Sequence, residues 1–293
     1  MQAFVDCIPC LMKQSVQTGR LCGLSDEKIK VLLDIVGQEV PSIALDESPP
    51  MMATRLQRIV ALFLGVEDPM AGIKKMSNDA ALKYYPQVVR MIENSESPLK
   101  TALQVAIAGN IIDYGAVHDL DVDKELSRIM EEEHMVLDRE SGGLFAYDAL
   151  WDDLKCSQSL LYLGDNAGEI VFDKALIATI KMLFPHLDIT FATRGKAILN
   201  DALVEDAEFV GMHEVAHVVS SGVDTPGLVL ERATEGFGKM FTSADLIISK
   251  GQGNLEALID VEGPIYFLLV AKCQPIAKML GCRERDIVLM KRS

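Results

Sequence analysis

No apolar run in this sequence approaches the length of a membrane helix. The longest, 265–271, ends at Lys272, far short of the roughly 20 residues a spanning helix needs, so no membrane partner is expected. Residues 1–15 also lack the unbroken apolar stretch of a secretory leader, because Asp6 and Pro9 interrupt it, and no export signal is expected. Cysteine is sparse. Six of them, unevenly spaced in 293 residues, do not make a disulfide scaffold and fit a reducing cytoplasm. Positive charge is scarce too: 28 Lys and Arg stand against 43 Asp and Glu, a net charge of −15. The densest basic stretch, Arg283, Arg285, Lys291 and Arg292, is interrupted by Glu284 and Asp286. Such a surface repels a phosphodiester polymer, so nucleic acid is not an expected partner. A full phosphate-binding P-loop is missing, so nucleoside triphosphate hydrolysis is not implied. Internal repeats and low-complexity linkers are missing as well, so the parts of the chain are expected to pack tightly together.

What is present falls into two textures. Over residues 1–155 the pattern is helical: 28–40 places Ile29, Leu32, Leu33 and Val36 on one face behind an N-cap at Ser25, and 52–65 and 97–114 behave alike. Pro49, Pro50, Pro69, Pro86 and Pro98 are expected to punctuate these helices, since proline suits a first turn and not an interior. Over 156–293, short apolar runs at 159–163, 187–193, 246–249, 264–271 and 286–290 alternate with amphipathic stretches such as 170–184 and 255–261. This alternation predicts βα units and an α/β domain on a mainly parallel sheet, preceded by an all-helical N-terminal region.

Open parallel sheets bind ligands at the carboxyl ends of their strands, so the residues after each run are the ones to read. Asp165 and Asn166 follow the first run, between Gly164 and Gly168. A carboxylate and an amide oxygen form a hard pair suited to Mg²⁺ or Mn²⁺ and usable by Co²⁺ or Ni²⁺; an ordinary Asx turn capping the next helix is the alternative. Asp201, after the second run, offers a third oxygen, or else an N-cap for a helix through Ala202, Leu203 and Ala207. Lys250 closes a later run just before Gly251-Gln252-Gly253-Asn254, a cation beside free backbone N–H groups where a phosphate can sit.

Five phrases in order, Gly109-Asn110-Ile111-Ile112-Asp113, Gly164-Asp165-Asn166-Ala167-Gly168-Glu169, Asn200-Asp201 with Asp206-Ala207, Ser220-Ser221-Gly222 with Pro226-Gly227, and Lys250-Gly251-Gln252-Gly253-Asn254-Leu255-Glu256, together resemble the metal-dependent damage-control phosphatases, formerly a domain family of unknown function. The resemblance runs from Cys7 to about Cys273, and the Cys7-Ile8-Pro9-Cys10 start looks like the stand-alone microbial branch. It implies a Rossmann-like core and a divalent metal (Mn, Mg, Co or Ni) on Asp165, Asn166 and Asp201. It also implies a substrate phosphate on Lys250 and a site lined by Glu169, Asn110 and the Ser220 phrase. The implied activity is hydrolysis of small phosphorylated metabolites, sugar phosphates or damaged forms, by a metal-activated water. A covalent aspartyl-phosphate route is disfavoured because position 167 is Ala.

Other motifs compete. Cys7 and Cys10 have CxxC spacing, but no second CxxC completes a zinc site, and the two thiols are expected to be buried as small apolar groups; a metal or disulfide site joined by Cys273, at the end of the 265–271 run, is the less favoured alternative. His213-Glu214-Val215-Ala216-His217 matches HExxH literally, the signature of a helical metallopeptidase; its β-branched residues, followed by Ser220-Ser221-Gly222, favour a strand instead. The turn after 159–163 allows an S-adenosylmethionine-dependent methyltransferase, although its glycines are too few for that fingerprint. A phosphometabolite-binding protein without turnover is the remaining alternative.

Overall fold

The computed structural model of the chain describes residues 1–116 and 144–292, with the side chains of 110–116 outside that description. The N-terminal helices are α1 (Cys7–Leu21), α2 (Asp26–Glu39) and α3 (Pro49–Leu64). The Ser25 hydroxyl accepts from Lys28 N at the start of α2, where Asp26 and Glu27 face the positive end of the helix dipole. Pro49 and Pro50 open α3 and Gly65 ends it in the left-handed conformation. These three helices close over their own small core of Leu11, Leu32, Val36, Met52, Leu56 and Val60.

Two longer helices, α4 (Ala71–Glu93) and α5 (Pro98–Ala116), and a shorter α6 (Tyr147–Cys156) follow. Pro86 corrects the expectation that prolines stop helices here, since it lies inside α4. The helix continues past it because Val88 and Ile92 are buried in the main core beyond it, and tertiary packing of this kind can outweigh a lost backbone hydrogen bond.

The sheet comprises β1 (Ser159–Leu163), β2 (Asp188–Thr193), β3 (His217–Ser220), β4 (Leu246–Lys250), β5 (Ile265–Val270) and β6 (Ile287–Lys291). Their order is β3-β2-β1-β4-β5-β6, with every pairing parallel except the final antiparallel β5–β6. The chain leaves β1 toward β2 and later returns on the other side of β1 with β4. That reversal of winding opens a crevice at the carboxyl ends of β1 and β4. The expected mainly parallel α/β architecture is what the chain forms.

Side chains alternate across β1, so Leu160 and Tyr162 enter one core while Leu161 and Leu163 enter the other. The first core is completed by α4, α5, α6 and α7 (Glu169–Leu183). Helix α7 is buried along nearly its whole length between the sheet and α4 and α5, which is why its sequence is apolar on most sides. Each fully buried Leu, Ile or Phe there contributes about 1.5–3 kcal/mol. Gly109 of α5 sits so close to α7 that an added Cβ would meet the Phe172 ring at 2.7 Å. The second core lies under α9 (Glu235–Ser243), α10 (Gln252–Leu258) and α11 (Gln274–Leu280). A short α8 (Val204–Phe209) follows β2. Among the described residues, no helix is long and apolar enough to cross a membrane.

Candidate active site

The loops after β1 and β2 are joined to each other through their backbones. Ala202 N donates to Asp165 O at 2.8 Å and Ala167 N to Asn200 O at 2.9 Å, making an isolated antiparallel bridge between Asn166 and Asp201. Residues 35 positions apart are thus neighbours by main-chain hydrogen bonding. Leu199, two residues before Asp201, has φ 50, a left-handed conformation that a branched side chain adopts only when its surroundings impose it. Helix α4 pins both loops: Asn78 Oδ1 accepts from Gly168 N at 2.6 Å, and Asn78 Nδ2 donates to Asp206 Oδ1 at 3.0 Å. Asp206 also accepts from Leu203 N at 3.0 Å. Helix α8 is therefore capped at Leu203, not at Asp201 as one expectation had it, and Asp201 is left to the site.

Charge is concentrated beneath this bridge. Arg194, directly after β2, donates through Nε to Asp201 Oδ2 at 2.6 Å and through Nη2 to Asp165 Oδ1 at 3.3 Å. Asn166 Nδ2 donates to Asp165 Oδ2 at 2.9 Å and to Glu169 Oε2 at 3.0 Å. Since that nitrogen lies between two carboxylates, the amide orientation is chemically compelled, and no described donor meets Asn166 Oδ1. Deeper still, Lys250 Nζ donates to Glu169 Oε1 and Asp173 Oδ1, both at 2.6 Å, and to Ala106 O at 2.8 Å. The Tyr162 hydroxyl donates to the same Asp173 oxygen at 2.7 Å.

Among the described residues, four buried carboxyl groups, Asp165, Glu169, Asp173 and Asp201, therefore share two buried cations, Arg194 and Lys250. The shortage of positive charge shows in their proton affinities. Burial, with Asp201 and Glu169 adding repulsion, pushes Asp165 up to about 8 against the pull of Arg194. Burial raises Asp201 as well, with Arg194 opposing, and raises Asp173 to about 6 with Lys250 opposing. Burial alone would depress Lys250, but Asp173 and Glu169 outweigh it and hold the ammonium above its ordinary range.

The β4 turn completes the floor. Gly251 has φ 84, and a Cβ there would stand 2.0 Å from Asp165 Oδ2; only glycine lets the chain pass beside this carboxylate. Asn254 accepts from Leu228 N at 2.8 Å and donates to Lys250 O at 2.7 Å and Gly164 O at 3.3 Å, tying three loops together. Above lies a cavity of about 280 Å³. Its polar wall includes Asp165, Asn166, Asp201, Glu256 and Lys272, and its opposite wall Phe4, Leu11, Pro49, Pro50 and Ala53 from the N-terminal segment.

A family model for the damage-control phosphatase ARMT1-like domain matches residues 3–288. The chain belongs to that family. A damage-control phosphatase of Archaeoglobus fulgidus is 36% identical over 239 residues, covering 81% of this chain and 80% of that one. One from Pyrococcus horikoshii is 31% identical over 231 residues, covering 78% and 76%. The crystal structure of a P. horikoshii protein of the DUF89 family superposes with a TM-score of 0.87 at 26% identity, covering 100% of both chains.

Of the residues expected from the damage-control phosphatase resemblance, Asp165, Asn166 and Asp201 come together at the cavity and Glu169 lies directly behind them. Lys250 does not reach the cavity surface: it is fully buried as the last residue of β4, where Glu169 and Asp173 hold it. Ser220 is not brought to the site either. It ends the edge strand β3, exposed, and its hydroxyl accepts from Gly222 N at 3.2 Å. The side chain of Asn110 lies outside the described residues.

The cysteines also differ from expectation. Cys10 is exposed and Cys7 and Cys273 half-buried, all three free thiols in the cavity wall, because α1 begins at Cys7 and turns its first face toward the site. His213 lies in a 3-10 turn and His217 begins β3, exposed beside Asp188, so the HExxH phrase forms no ligand-bearing helix. Arg194, Asp173, Glu256 and Lys272 were missed. Arg194 and Lys272 had a signal, each standing within two residues of a strand's carboxyl end.

Among the described residues no three His, Cys, Asp or Glu side chains converge as a metal-binding group. The candidate set is instead two carboxylates and one amide oxygen, with Arg194 spanning the carboxylates. The donor chemistry fits a hard divalent cation: all three ligands are oxygens, no described donor meets Asn166 Oδ1, and among the described residues of this cluster the buried carboxyl groups outnumber the buried cations by two.

Proposed function

We propose that this chain is a divalent-metal-dependent phosphatase that hydrolyses small phosphorylated metabolites. The observation that carries the reading is the backbone bridge that sets Asp165 and Asn166 against Asp201 at the floor of the cavity. These three residues would hold Mn²⁺, Mg²⁺, Co²⁺ or Ni²⁺, which when bound supplies a Lewis acid and a water of lowered pKa. The names of the archaeal relatives support the phosphatase reading.

The rest is done by the chain itself. Glu169 holds the Asn166 amide nitrogen, so the amide oxygen is presented to the cavity. Lys250 in turn fixes Glu169 and Asp173; in this geometry it is a positioning residue for the ligand set. Arg194 holds the two aspartates at a fixed separation until a stronger cation competes for them. Helices α1 and α3 line the opposite side of the cavity. Six free thiols agree with a reducing cytoplasm as the working compartment.

Release of phosphate from a generic aryl phosphate is the test, with the protein stripped by chelator and then given each metal. Activity restored by Mn²⁺ or Mg²⁺ and lost in an Asp201→Asn variant is expected. Phosphate binding without release under every metal would replace the enzyme by a phosphometabolite-binding protein.

A further inference from the structure

Among the described residues, the two buried cations of the site are both committed to carboxylates, so neither is available to an incoming phosphate. Arg194 spans Asp165 and Asp201, and Lys250 is enclosed by Glu169, Asp173 and Ala106 O. Neither residue lines the cavity. Among the described residues that do, Lys272 is the one lysine, arginine or histidine.

Lys272 lies two residues beyond β5, on the same end of the sheet as Asp165 and Asp201. Its main chain is held in place: Lys272 N donates to Gln252 Oε1 at 2.9 Å, and Gln252 Nε2 donates to Glu256 Oε1 at 2.8 Å and to Cys273 Sγ at 3.6 Å. Its side chain is exposed, and no described carboxylate lies within ion-pair distance of the ammonium. Lys272 lines the same cavity as Asp165, Asp201 and Glu256. A lysine on a fixed base with a free head, in the same cavity wall as a ligand set, is placed to meet an anion bound there.

We propose that Lys272 is the anchor for the substrate's phosphoryl group, and that this cavity therefore selects compact monophosphates over bisphosphates; the inference rests on the phosphatase reading above. One uncommitted ammonium serves one phosphoryl group. Among the described lining residues a second phosphoryl group would find no second cation, only the carboxylates of Asp6 and Glu256, the apolar side chains of Phe4, Leu11 and Pro50, and neutral amides such as Gln14 that compensate its lost hydration in part. The volume, about 280 Å³, stands at the lower end of ligand pockets and suits a small body on the ester.

The experiment titrates inorganic phosphate into Mn²⁺-loaded protein by calorimetry, and follows aryl phosphate hydrolysis, for wild type, Lys272→Gln, Lys272→Arg and Lys278→Gln. Loss of one charge-assisted contact is expected to weaken phosphate binding and raise KM about 10- to 100-fold in Lys272→Gln, with a smaller change in kcat. Lys272→Arg recovers most of the affinity, while Lys278→Gln, an α11 substitution outside the cavity wall, matches wild type. In a competition arm, a sugar monophosphate displaces the aryl ester more effectively than the corresponding bisphosphate. Phosphate affinity and KM unchanged in Lys272→Gln overturn the assignment, as does failure of wild type to bind phosphate at all; a bisphosphate that competes better overturns the selectivity. Lys272-dependent phosphate binding without any turnover upholds the anchor and removes only the catalytic reading.

Discussion

Replacing Gly251 by Ala should damage the fold and the site through one contact. Gly251 has φ 84 and ψ 158, a region essentially reserved for glycine that costs other residues about 1–3 kcal/mol. The new methyl carbon would stand 2.0 Å from Asp165 Oδ2, so one of the two must move by more than 1 Å, roughly, to restore a van der Waals separation near 3.5 Å. Neither moves freely: Gly251 N donates to Leu268 O at 3.0 Å, and Asp165 is held by Asn166 and Arg194. Overpacking of this kind adds about 1–3 kcal/mol. The expected destabilisation is thus about 2–6 kcal/mol, a large share of the roughly 5–15 kcal/mol that holds a typical protein folded.

Urea denaturation at pH 7 measures it, with Gly236→Ala as control. Gly236, in α9, has open space where a Cβ would go, so alanine there should be neutral or stabilising by up to about 1 kcal/mol. Because the clash falls on a proposed metal ligand, Gly251→Ala should also lose metal-dependent phosphate release and the upward thermal shift with Mn²⁺. A Gly251→Ala protein with the wild-type midpoint and full activity would refute the reasoning, because no rearrangement could then have been required at Asp165.

Three further expectations concern other groups. Lys250→Met leaves Glu169 and Asp173 buried without their cation and should cost about 3–5 kcal/mol, read by thermal or urea midpoints, with partial recovery on adding Asp173→Asn; a midpoint loss below 1 kcal/mol, roughly the worth of an exposed pair, would contradict the buried network. Glu256 is raised by burial from 4.5 to about 7, so the native state binds its proton more tightly than the unfolded chain. Its stabilising effect is full below pH 4.5 and lost as pH rises through 7, and Glu256→Gln should gain up to about 3 kcal/mol over wild type at pH 8 and nothing at pH 4, less whatever solvent contact remains. A difference independent of pH would dismiss this. Replacing His213 and His217 together should leave phosphate release unchanged, since His217 is exposed on β3; a collapse of activity would reopen a role for the HExxH phrase.

The sequence carried the fold class well because it is a matter of period and local chemistry. Four of the five apolar runs became β1, β2, β4 and β5 within a residue or two of their expected limits, and the fifth became β6. Direction was less legible, since nothing local says that β6 runs antiparallel. Strand β3 has only four residues at the sheet edge, half-buried or exposed, and so lacks an apolar run; its β-branched residues alone hinted at it.

At the site, sequence determined which atoms are available and tertiary structure decided which of them meet. Asp165, Asn166 and Asp201 were legible because strand ends are where polar side chains gather in a parallel sheet. Lys250 follows the same rule by position, yet β4 carries it one residue further inside, and two carboxylates from α7 that no local pattern links to it capture its charge. Lys272, with a weaker motif around it, keeps its charge free for the cavity. A side chain's type is written locally, whereas its partner is set by which elements pack over it, and buried ion pairing is a property of that packing alone.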